Sequence, residues 1–66
     1  MTVGELLEVI DPNASVWIET KDENHIYHND AGYIPPVHKT YDVANIYPQK
    51  IKALYGMNCI VIQVNK

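Results

Sequence analysis

Cys59-Ile60-Val61-Ile62-Gln63-Val64, near the end of a 66-residue chain, is apolar at every position but Gln63. Successive side chains of a strand point to opposite sides, so this segment is greasy on both faces and needs cover on both. A chain this short buries only about 60% of its unfolded surface and is marginal alone. One short helix covers one face, and the second cover is expected to be another copy of the chain. Val61 and Trp17 are the residues assigned to that interface.

The helix is legible at the other end. Thr2 and Glu5 have the capping-box spacing, in which a threonine hydroxyl and a glutamate side chain satisfy each other's free backbone amides. Val3, Leu6, Leu7 and Ile10 follow at i, i+3, i+4 and i+7, one apolar stripe over about two turns. Pro12 closes the helix, because the residue before a proline is pushed out of helical angles. Ala14, Val16, Ile18 and Thr20 then alternate with Ser15, Trp17 and Glu19, a strand with its aliphatic side toward the helix. Trp17 falls on the far face, under a loop, against a second subunit, or as a platform for a ligand.

Lys21 to Asn24 reads as a hairpin connection into His25-Ile26-Tyr27-His28, polar enough to be an edge strand. From Asn29 to Thr40 periodicity lapses, and a connection of this length is uncommon unless it has a function. Pro35-Pro36 stiffens it, so the binding site is expected there. Strand composition returns at 41–47, with Val43 and Tyr47 on one side and Ala44 and Ile46 on the other. Pro48 then demands an edge, a bulge or a strand end. Residues 48–54 fit a helical turn or more strand equally well.

Composition narrows the function classes. The chain is 47% hydrophobic and 20% charged, which is the profile of a folded soluble domain. Its single cysteine sits in an apolar strand and is expected to be a buried, inert thiol in a cytoplasmic, reducing compartment. No apolar run reaches the ~18 residues of a membrane span, and the start lacks signal-peptide features. Residues 1 to 30 hold seven acids against Lys21, while residues 31 to 66 hold Lys39, Lys50, Lys52 and Lys66 against Asp42. The absence of arginine argues against duplex nucleic acid, whose phosphates and bases are read largely by guanidinium groups.

Catalytic and metal signatures are weak. His25 and His28 are three apart in a strand, which places them on opposite faces, so no metal site is expected from them or from Asp30 and His38. Cys59 lacks the electropositive, exposed setting of a reactive thiol. Gly4, Gly32 and Gly56 are isolated and form no phosphate-cradling loop. No enzyme activity and no cofactor are expected.

The run Thr2 to Ile18, containing Asp11-Pro12-Asn13-Ala14, with Asn45-Ile46-Tyr47 and Ile60-Val61-Ile62-Gln63-Val64, resembles a class of very short accessory proteins of bacteriophages and prophages. Those begin with a helix ending in Asp-Pro and close with a hydrophobic strand. The resemblance covers about half the chain, and its motifs are structural. It implies a role in host takeover or counter-defence, in which some such proteins inhibit host proteins or sequester nucleotide signals.

These readings converge on one α+β domain, 1–66, with an N-terminal helix packed on a three- or four-stranded antiparallel sheet, assembled as a homodimer. The expected function is non-enzymatic binding of a small anionic, nucleotide-like ligand between subunits. Tyr33, His38, Lys39, Tyr41, Lys50 and Lys52 are the candidate ligand residues, the rings for stacking and the lysines for charge. The alternatives are an acidic inhibitor presenting Glu19, Asp22 and Glu23 to a basic surface of a host protein, and a structural or assembly accessory protein.

Overall fold

The computed structural model describes all residues, 1–66, as a four-stranded sheet with short helices on one face. The order of elements is α1 (Val3–Leu7), β1 (Ser15–Thr20), β2 (His25–Asp30), a 3-10 turn (Ala31–Tyr33), α2 (Pro36–Lys39), β3 (Asp42–Ile51), a second 3-10 turn (Lys52–Leu54) and β4 (Met57–Asn65). The capping box forms as its spacing requires. The Thr2 amide donates to Glu5 Oε1 at 2.8 Å, and the Glu5 amide donates to Thr2 Oγ1 at 3.2 Å. The helix is shorter than its apolar stripe suggests, because Val9 and Ile10 donate to Leu6 and Leu7, tightening the end into i+3 turns before Pro12.

The strand order is β2-β1-β4-β3, and the sheet is mixed where an antiparallel one was expected. β1 pairs with β2, and β3 with β4, as antiparallel neighbours, but β1 and β4 run parallel at the centre. Burial explains that choice. β1 and β4 hold seven of the eight buried residues in the strands, and pairing them gives each a neighbour on both sides while the more exposed β2 and β3 take the edges. Pro48 is tolerated because β3 is an edge strand that continues through it to Ile51.

The main core joins Val3 and Leu6 of α1 to Val16 and Ile18 of β1 and Ile62 and Val64 of β4, closed by Ala31 and Ile34. The connection after Asn29 is therefore not a free loop, since two of its side chains belong to the core. Gly32 permits this docking, because its amide donates to the Pro12 carbonyl at 2.9 Å and an added Cβ would meet Pro12 at 3.2 Å.

A β-bulge breaks each outer pairing and resets the phase of its strand. The Val43/Asn45 shift places Val43 opposite Val64 and Ile46 opposite Ile62, on the helix face, with Tyr47 opposite Val61 on the other. Val43 and Tyr47 thus part company, where unbroken alternation had kept them together. The second shift, at Ile18/Glu19, puts His28 opposite Trp17 and His25 opposite Glu19, so the two histidines share a face after all.

Candidate functional site: the uncovered sheet face

Both helices lie on one side of the sheet, and only the turn at 52–54 leans over part of the other. The registers define what that open face presents. One row across the strands reads His28, Trp17, Val61 and Tyr47, and the next reads His25, Glu19, Gln63 and Asn45. A small apolar cluster of Ile51, Cys59 and Val61 anchors it, with Trp17, Tyr47 and Leu54 packed around. Val61 is 0% exposed within one chain. The two greasy faces of β4 are thus both covered without a partner, and Val61 has no surface to offer an interface. Trp17, half-buried on this face, keeps some.

Glu19 organises the site. It is buried at 7% exposure, yet both carboxylate oxygens are engaged. The Trp17 indole donates to Oε1 at 2.9 Å, and the Gln63 amide donates to Oε2 at 2.8 Å. The Tyr47 hydroxyl donates to Oε2 at 3.5 Å and accepts from Gln63 Nε2 at 3.3 Å. No buried side-chain polar atom is left without a partner. Burial, followed by the negative charges of Glu19 and Glu23, pushes the Tyr47 hydroxyl above its usual value of 10.0, so it stays a neutral donor. Glu19 cannot serve as an acidic contact for a basic partner, which removes the centre of the expected inhibitory surface and leaves Asp22 and Glu23 exposed in the hairpin turn.

Trp17 is also held from its β2 side. Its ring lies 4.2 Å from that of His25 and stacks on His28 at 5.2 Å, centroid to centroid. Desolvation against these rings, and then the charge of His28, lower the proton affinity of His25 below the ordinary 6.5, with Glu19 opposing. On its other side Trp17 opens into a groove of about 310 Å³ that it lines with Glu19, Glu23, Gln49, Lys50, Ile51 and Lys52.

The residues assigned to ligand binding from sequence do not form one site. Lys50 and Lys52 reach the Trp17 groove. His38 and Tyr41 lie on the helix side, where the His38 ring stacks on Tyr27 at 5.0 Å, its Nδ1 is 3.4 Å from the Tyr41 hydroxyl, and Lys66 sits 5.2 Å over the Tyr41 ring. Lys39 lines a third hollow beside Glu5 and Glu8 of α1, and Tyr33, 71% exposed, lines none of the hollows. Sequence reasoning did not single out Gln63, and it weighed His25 and His28 only to place them on opposite faces. Parity along β1 and β4 carried the signal for Gln63, but only once those strands are known to be parallel and in register.

Cys59 is buried as expected, at 3% exposure, and desolvation pushes its thiol above 9.0. No helix is long and apolar enough to cross a membrane. No family model, no curated protein and no solved structure matches the chain.

Proposed function

We propose that this chain is a non-enzymatic binding protein that takes a nucleotide-like ligand in the Trp17 groove of its open sheet face. One observation carries the reading: the only tryptophan is fixed by a buried carboxylate beside a groove that two lysines and the acid Glu23 also line. A planar base stacks on the indole, its N–H donors reach Glu23, and its phosphate meets Lys50 and Lys52. The groove volume is at the small end of ligand sites, which suits a single nucleotide. A second copy of the chain laid over the apolar half of the face, at Ile51, Leu54 and Met57, would close the groove. Sequestration of this kind fits the counter-defence role implied by the resemblance to short phage proteins.

Trp17 is its own reporter. Titration with linear and cyclic nucleotides is expected to quench or shift its fluorescence, and a ligand at 100 times its dissociation constant should add ~2.7 kcal/mol of stability. Replacing Lys50 and Lys52 together by alanine should abolish the response without changing the melting temperature of the free protein. A flat titration across mono-, di- and cyclic nucleotides sinks the reading. A response that survives the double lysine change moves the site away from this groove.

A further inference from the structure

The bulge that gathers His25 and His28 on one face also aims their rings at each other. His25 Nε2 lies 2.9 Å from His28 Nδ1. Between two neutral imidazoles that contact holds one proton, donated by one ring into the lone pair of the other. When the donating ring shifts its proton to its other nitrogen, Nδ1 of His25 or Nε2 of His28, both facing nitrogens are free to bind one ion after a small turn of each ring. We propose that His25 and His28 form a two-nitrogen chelate for a divalent transition metal, with Cu²⁺ the ion held best and water completing its coordination.

The two nitrogens start within reach of one ion. Imidazole nitrogens about 2.0–2.1 Å from an ion stand about 2.9 Å apart when they subtend a right angle, and about 3.3–3.4 Å apart at the tetrahedral angle. The observed 2.9 Å is the length of the hydrogen bond between the rings, and with centroids 5.0 Å apart the two nitrogens face each other nearly head-on, so both rings turn to seat an ion at either angle. Donor strength sets the choice of ion, since nitrogen sites favour Cu²⁺ over Ni²⁺ and Zn²⁺. Access and rigidity complete the case. Both histidines are exposed, and Trp17 packs against both rings, which limits how far they swing apart before an ion arrives. Glu19 is not a ligand, because both its oxygens are already bonded. No third histidine, cysteine or carboxylate joins the pair, so this is an open chelate and not a closed structural centre.

The experiment uses the metal alone and does not depend on any nucleotide. Cu²⁺ titrated into the chain should quench Trp17 at one equivalent, because the bound ion sits within contact range of the indole. Ni²⁺ should bind more weakly, Zn²⁺ should displace Cu²⁺ only in large excess, and Mg²⁺ should do nothing. His25→Ala and His28→Ala should each weaken Cu²⁺ at least tenfold, whereas His38→Ala, on the other side of the sheet, should leave it unchanged. Circular dichroism of the variants checks the fold. Electron paramagnetic resonance of the unmutated Cu²⁺ complex counts ligands without any variant, and coupling to two imidazole nitrogens is expected. One nitrogen or none, or a quench that persists when both histidines are replaced, overturns the proposal.

Discussion

Glu19 shows what alternation reveals and what it hides. Period-two reading of β1 correctly put Trp17 on the face away from the helix, along with Ser15 and Glu19. It could not show that Glu19 would be buried, because that burial comes from Gln63 and Tyr47, residues 44 and 28 positions away. A carboxylate so enclosed is retained at a cost in desolvation that its three donors must offset. Glu19→Ala leaves the Trp17 indole, the Gln63 amide and the Tyr47 hydroxyl seeking partners, and is expected to cost about 2–3 kcal/mol in denaturant unfolding followed by Trp17 fluorescence. The native emission should also move to the red as the indole loses its anchor. Unchanged stability and emission would mean that water replaces the carboxylate freely and that Trp17 is not fixed by it.

Elements were legible where their signal is local. The capping box, the hairpin turn and the edge character of β2 follow from neighbours a few residues apart, and all three form. Local pattern failed at the two bulges, because a bulge is decided by what the partner strand needs and not by the strand that carries it. One such failure separated His25 from His28 on paper, although the chain places them in contact. The start of α1 offers a test at this scale. Hydrogen bonds from Thr2 hold the Glu5 carboxyl below its ordinary 4.5. A depressed acid stabilises the fold above its unfolded value and loses that contribution as pH falls through the folded one. The melting temperature of the unmutated chain should therefore exceed that of Glu5→Ala at pH 6, and the gap should close steadily as pH drops below about 4.5, where the unfolded carboxyl begins to take up its proton. A gap independent of pH would show that the ionised carboxylate contributes nothing and that the side chain acts by packing.

At the scale of the whole molecule, the α+β class was readable from a capped helix followed by alternating strands, but the strand order was not. Nothing local to β4 says that it inserts between β1 and β3, and that insertion makes the sheet mixed and supplies the cover once assigned to a partner. The folded chain exposes 4300 Å². A folded monomer of 7.5 kDa is expected to expose about 4,200 Å². A single copy is thus as compact as its mass allows, and a dimer has to be justified by the open face alone. That face carries the buried Ile51 and half-buried Leu54 beside Met57, which is 51% exposed, next to the groove. Sedimentation at micromolar concentration is expected to report about twice the chain mass. The decisive comparison sets Met57→Glu against Val61→Glu. The first puts a charge on exposed surface and should yield a folded monomer, while the second buries an unpaired charge in the centre of the sheet and should unfold the chain. If the unmutated protein sediments as a monomer throughout, or if Met57→Glu remains dimeric, a second copy does not close the groove, and any ligand is held by one chain.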